Sequence, residues 1–468
     1  MTSPILPIRN VARGVAFHER REFLRRGTAL SLAGVAAPWA LNLAAMGEAA
    51  AATATDYKAL VCIFMYGGND YGNTLVPYDS ANYNAYQTIR TGIALARDTL
   101  LPLTPSVALP DARQMAFAPQ WTGAKALFDA GRLGMVLNVG TLIQPTTLAQ
   151  YNAKSVPLPP KLFSHNDQQS VWQSSLPEGA TSGWGGRIGD LFLSSNSAAT
   201  FTCVNVSGNA VFMSGQSAVQ YQVGSGGAVA LSAAKSPVYG SQACADALKA
   251  VTMAARSNLL ENELAIIMKR AVDAEAQLGA ALGGARAIAT PFDTTSPLAA
   301  QMQMVARMIA VRGSLGVRRQ VFFVSLGGFD NHDFLPQQHP GLLTQVSGAI
   351  KSFYDATVEL GVANSVTAFT ASDFGRTLSS NGDGSDHGWG SHHVVVGGAV
   401  KGGRFHGALP ATAVSGPDDV GQGRLLPSTA VDQFGGALAG WFGVPASDLP
   451  AVFPNIGRFS SGALSLFD

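Results

Sequence analysis

The side chains of this sequence that could do chemistry are carboxylates and imidazoles placed just beyond runs that read as β-strands. Asp70 follows the run 59–65, Asp330 and His332 follow 320–326, and Asp373 follows 365–370. Behind Asp373 a glycine-rich loop carries Asp386-His387 and His392-His393. Open α/β sheets place their sites at the carboxyl ends of strands. Three strands delivering acids and histidines to one edge therefore point to a metal-centred site. Carboxylate with imidazole suits zinc, manganese or iron, whereas calcium prefers oxygen ligands alone. Asp330-Asn331-His332 comes directly after Leu326-Gly327-Gly328-Phe329, and the same Gly-Gly-x-Asp order recurs at Gly67-Gly68-Asn69-Asp70. Glycines there let the backbone turn and approach a ligand closely. The competing explanation is a turn aspartate beside a surface histidine. The metal candidates are Asp70, Asp330, His332, Asp373, Asp386, His387 and His392.

Two further residues could act on a substrate. Ser164 stands in Leu162-Phe163-Ser164-His165, after the proline-rich stretch 156–161 and before a helix-like run. It is either a helix N-cap or a nucleophile activated by metal coordination. Arg376 lies in Ser372-Asp373-Phe374-Gly375-Arg376-Thr377. It either pairs with Asp373 or holds an anionic group by bidentate hydrogen bonds. His165 has no stronger warrant than a structural role, and His339 and His406 are isolated.

The elements that must position these groups follow from the apolar pattern. Runs 59–65, 133–139, 320–326, 365–370 and 393–400 read as strands, and 121–130, 298–314, 342–360 and 429–442 as helices. The alternation implies an α/β fold: a largely parallel sheet sandwiched by helices. The middle changes character. Residues 194–236 are rich in Ser, Gly, Val and Asn, and 242–282 are rich in Ala with helical spacing, so about 194–300 reads as an insertion or cap.

The N-terminus carries Arg20-Arg21-Glu22-Phe23-Leu24-Arg25, an uncharged stretch from Gly27 to Met46, and small residues with several A-x-A sites up to Ala54. This is a twin-arginine signal, 1–54, ahead of a single α/β domain, 55–468. It implies handling by the twin-arginine translocation machinery and a periplasmic or secreted product. Hydrophobic content of 47% excludes a disordered chain, and a net charge of +1 gives no footprint for nucleic acid. Charged residues are only 13%, so uncharged polar side chains must solvate much of the surface. Three cysteines are too few for a disulfide scaffold: Cys62 sits in a core strand, and Cys203 with Cys244 could pair.

GGND-x-x-NTLVP, SH-x-x-x-Q, GGFD-x-H, SDFGRT and DHGWG with GGAVKGG resemble, in order, the motifs of a twin-arginine-exported "domain of unknown function" family, number one-five-zero-one. That family is grouped with the alkaline phosphatase and sulfatase superfamily. The resemblance implies an alkaline-phosphatase-like α/β fold and a centre of one or two divalent ions, zinc or manganese. It casts Asp70 as first-strand ligand, Ser164 as nucleophile, and Asp330 and His332 as ligands of one ion. The superfamily's second ion usually takes an adjacent Asp-His pair at a strand end, whereas here the strand ends in Asp373-Phe374. Either Asp373 serves while His387 or His392 folds back, or Asp386-His387 serves directly. No C/S-x-P-x-R pentapeptide occurs, which argues against a formylglycine sulfatase. The resulting expectation is an exported metal-dependent hydrolase of phosphate, phosphodiester or sulfate-type esters, with an anionic ester as its partner. The alternative is a catalytically degenerate secreted protein that binds an envelope partner.

Overall fold

Lys58–Met65, KALVCIFM, is buried at every residue but the first. A strand so continuously apolar must be covered on both faces, as in a parallel sheet. The computed structural model, which describes residues 54–229, 236–460, 462 and 464–467, places it at the centre of a ten-stranded mixed sheet. Except for Ala54, the targeting segment lies outside the described residues.

Five strands dominate: β1 (Lys58–Met65), β2 (Leu133–Gly140), β3 (Arg319–Leu326), β4 (Val366–Ser372) and β5 (Ser391–Gly397). Their order across the sheet is β2-β5-β4-β1-β3. β1 runs parallel to both β4 and β3, and Met65 is level with Ser372 on one side and Leu326 on the other. Three chain turns therefore emerge side by side at one edge. β5 is antiparallel to both β4 and β2. Its amino end thus lies at the carboxyl edge of its neighbours, and the glycine-rich loop that feeds it arrives where the other turns leave.

Alternation along the strands makes two different cores. Val61, Ile63, Phe322 and Val324 face a cluster with Met302, Val305, Ile309, Val346 and Ile350. Those residues come from helices Pro297–Ala310 and Leu335–Glu359. The second helix starts earlier than the sequence suggested, because Pro340 sits inside it without ending it. The opposite face is aromatic. Phe64, Phe323 and Phe369 pack against Trp172, Trp184, Phe212 and Phe434. Each of these fully buried rings contributes on the order of 2–3 kcal/mol of burial. Trp172 belongs to α1 (His165–Ser174), so this packing fixes the helix whose first residue is His165.

The middle segment is partly continuous with the sheet. Cys203–Asn205 pairs parallel to β3, and Tyr221–Gly224 pairs parallel to it in turn. Gln242–Met253 and Leu259–Gly283 form a helical pair whose second helix sets Ala274 and Leu278 into the main core. All three cysteines are free; Cys203 is buried and Cys244 exposed, so they do not pair. Among the described residues, no helix is long and apolar enough to cross a membrane.

Three histidines are locked in this interior. Burial lowers His339 to about 4, and His392 and His393 to about 3. All three are neutral in the folded chain, yet they take up protons below about pH 6.5 once unfolded. Their contribution to stability is complete above that pH and is lost as pH falls toward 3–4. Urea unfolding should show a loss of several kcal/mol between pH 7 and pH 5; equal stability at the two pH values would contradict this burial.

Candidate metal centre

Each group at the sheet edge is delivered by a turn that the sequence dictates locally. After β1, Gly67 adopts φ +115°, and a Cβ there would lie 2.4 Å from the backbone nitrogen of Asp330. Only glycine lets the two Gly-Gly turns touch. Gly384 plays a similar part: its Cβ would sit 2.0 Å from the carbonyl oxygen of His332, so the β5 loop packs directly on the β3 turn.

Three imidazoles share one arrangement. His165 Nδ1 donates to Asp373 Oδ2 at 2.6 Å, and Gln169, one helical turn on, donates to the same oxygen at 2.7 Å. His332 Nδ1 donates to Asp386 Oδ1 at 3.1 Å. His387 Nδ1 donates to the carbonyl of Phe163 at 2.7 Å. Phe163 holds that carbonyl in place from a left-handed backbone, φ +71°, that non-glycine residues rarely adopt. With a proton on Nδ1, each ring turns its Nε2 the other way.

All three Nε2 atoms meet at Asp330. His332 and His387 Nε2 lie 3.1 Å from its Oδ1 and 2.9 Å from each other, and His165 Nε2 is 3.4 Å from its Oδ2. His165, Asp330 and His387 can each offer one ligand atom, all within 4.8 Å of one another. His165 Nε2 is buried yet has no hydrogen-bond partner. An orphaned buried nitrogen is uncommon in folded proteins, and here it faces other acceptors. The Asp330 side chain is 45% exposed, so the cluster opens to solvent on one side.

The surroundings act differently on each group. Burial raises the Asp330 carboxyl, but the Arg376 hydrogen bond and charge, with His165 and His332, hold it below its ordinary value. Burial lowers His387 and outweighs its bond to Phe163, so that ring stays neutral. The hydrogen bond to Asp373 raises His165, which burial opposes. Burial likewise works against ionisation of Asp386, while Asn381 and His332 pull it down.

The sequence candidates thus separate. Asp330, His332 and His387 converge, and His165, given no special role from sequence, joins them. Asp373 and Asp386 stand one layer out as acceptors for Nδ1–H groups, an outer-shell arrangement that fixes ring orientation around metals. Asp70 is elsewhere engaged. It is buried, paired with Arg90 at 2.7 Å, and accepts from Ser385 Oγ at 2.6 Å and the Asn73 amide at 2.8 Å. Burial raises it, and the Arg90 charge prevails to lower it. His392 is in β5, where its Nδ1 accepts from the Asn138 amide at 3.0 Å. Arg376 is fully buried and bonds Asp330 Oδ1 at 2.5 Å, the Gly67 carbonyl at 3.1 Å, and the Ser385 carbonyl. Its partner is Asp330, not Asp373, and it steadies that carboxylate rather than reaching for a substrate. Ser164 precedes α1 without capping it; its hydroxyl donates to Asp167 Oδ2 at 2.8 Å. The signal that reveals His165 is the spacing of SH-x-x-x-Q, which puts His165 and Gln169 on one helical face.

The chain belongs to the family described as "Protein of unknown function (DUF1501)", whose sequence model matches residues 57–436. No curated protein matches the sequence. Among solved structures the chain is similar to the PsFucS1 sulfatase from Pseudoalteromonas sp., with 9% identity, coverage of 86% of this chain and 71% of that one, and a TM-score of 0.37. It is also similar to a Bacteroides thetaiotaomicron structure (BT33494S-sulf) described under the metabolism of multiple glycosaminoglycans. There the identity is 10%, the coverage 85% and 76%, and the TM-score 0.33. Likeness at that level carries no argument about chemistry, and the site rests on its own geometry.

The inner and outer layers make separable predictions. Asp330→Ala should abolish stoichiometric metal binding, while Asp373→Asn should retain the site with affinity down about 10- to 100-fold, read by competition with a chelating dye. Asp70→Ala should leave metal content unchanged but cost about 3–5 kcal/mol in urea unfolding, because Arg90 is left buried and unpaired. Equal metal loss in all three variants would refute the layering.

Proposed function

We propose that this protein is an exported metal-dependent hydrolase of anionic esters of the phosphate, phosphodiester or sulfate type. The observation that carries the reading is the convergence of three imidazole Nε2 atoms on the Asp330 carboxylate, one of them buried without a partner. Two imidazoles and a carboxylate within ligand range of one another, with His332 Nε2 2.9 Å from that of His387, fit zinc, manganese or iron. A bound ion would supply Lewis-acid stabilisation of the developing negative charge and a lowered pKa for the attacking hydroxyl. Asp70 is already neutralised by Arg90, which supports one ion rather than two. The twin-arginine route would allow that ion to be loaded before export.

The chain's own residues have distinct parts. His165, His332, His387 and Asp330 would hold the ion, and Asp373, Asp386 and the Phe163 carbonyl keep the rings oriented. Arg376 fixes the Asp330 carboxylate by bonding Oδ1 from a buried position. Ser164 is the candidate nucleophile. It stands between Phe163 and His165, and its hydroxyl proton already points at Asp167 Oδ2, which can accept it and leave Oγ free to attack.

A second reading, a secreted protein that binds an envelope partner, is favoured by one observation. Leu259, Leu260 and Leu264 stand 81%, 80% and 59% exposed on the Leu259–Gly283 helix.

Metal-loaded protein should turn over members of a phosphate- and sulfate-ester panel. Ser164→Ala should lower kcat by about 10²–10⁴-fold with metal content unchanged. Full metal occupancy with no turnover across the panel would contradict the hydrolase. A cellular phenotype that survives Ser164→Ala would support the binding protein.

A further inference from the structure

The anion-holding role expected of Arg376 is not open to it, because its guanidinium is buried and committed to Asp330, Gly67 and Ser385. A different arginine stands beside the centre. Arg424 Nε donates to the carbonyl of His387 at 2.7 Å, and its guanidinium lies 5.0 Å above the Phe163 ring. Phe163 is the residue whose carbonyl orients His387, so Arg424 is fastened to both ends of one ligand-positioning contact. Its Nη1 reaches the Gly421 carbonyl at 3.3 Å. No carboxylate pairs with it among the described residues, and its Nη2 has no protein acceptor there. The side chain is only half-buried.

We propose that Arg424 is the anion-recognition residue of this centre, taking the charged oxygens of a phosphate or sulfate group through the free edge of its guanidinium. This rests on the reading of the cluster as a metal site. The reasons are chemical. A guanidinium is always charged and presents a planar fork that matches tetrahedral oxyanions. Stacking on Phe163 and the bond to His387 hold it in one orientation, so little side-chain freedom is lost when an anion binds. A paired arginine would have to give up its carboxylate first; among the described residues Arg424 has none to give up.

The test is titration of metal-loaded full-length protein with inorganic phosphate and, separately, sulfate, by calorimetry, with metal content measured on the same samples. The wild type should bind at least one of these anions. Arg424→Gln should weaken that binding about 10- to 100-fold, as expected for a charge-assisted hydrogen bond, with unchanged metal content and thermal midpoint. Arg424→Lys should recover part of the affinity, since it restores the charge without the fork. Full metal content with anion affinity unchanged in Arg424→Gln would overturn the role of Arg424, as would a metal-loaded wild type that binds neither anion. Protein that takes up no metal would overturn the underlying reading of the centre instead.

Discussion

Four acceptors face one another at the edge of this sheet, and the rest of the structure is arranged around that conflict. With all three rings neutral, the Nε2 lone pairs of His165, His332 and His387 and the carboxylate of Asp330 would repel at the separations observed. Only a shared proton or a cation relieves them. The Nδ1 sides of the rings face Asp373, Asp386 and the Phe163 carbonyl, which turns the Nε2 sides toward Asp330. Buried Arg376 then keeps the carboxylate charged and in place. Under the proposed function, a divalent ion would resolve that conflict.

The sheet explains how such an arrangement is held. Level strand ends at Met65, Leu326 and Ser372 bring the β1, β3 and β4 turns together. The antiparallel β5 adds the loop with Asp386 and His387 from the opposite direction. Packing of Trp172 against Phe64 and Phe369 seats α1 and so places His165. The groups of the cluster come from several elements that are tied together by aromatic packing and by close backbone contacts at Gly67 and Gly384.

Much of this was legible in the sequence, and for identifiable reasons. Continuous apolar runs marked the central strands to within two residues in most cases, and acids and histidines beyond the strand ends pointed to Asp330, His332 and His387. The direction of β5 was not legible, since one short Val-rich run reads alike in either sense. The division of labour among the carboxylates was hidden too. Asp70, Asp330 and Asp373 look equivalent by position, and only the partners reached through space, Arg90, Arg376 and His165, separate them. Arg376 illustrates the same limit: an arginine near an acid in sequence was paired with a different acid on another turn. His165 was within reach of the sequence, through its helical spacing to Gln169.

X-ray absorption at the metal edge of protein purified with its native ion tests the central claim most directly. The expected spectrum shows a first shell of nitrogen and oxygen at about 2.0–2.2 Å with the outer-ring scattering of imidazoles, and loss of one imidazole in His165→Ala. A metal-free protein, or an ion surrounded by oxygen alone, would contradict it.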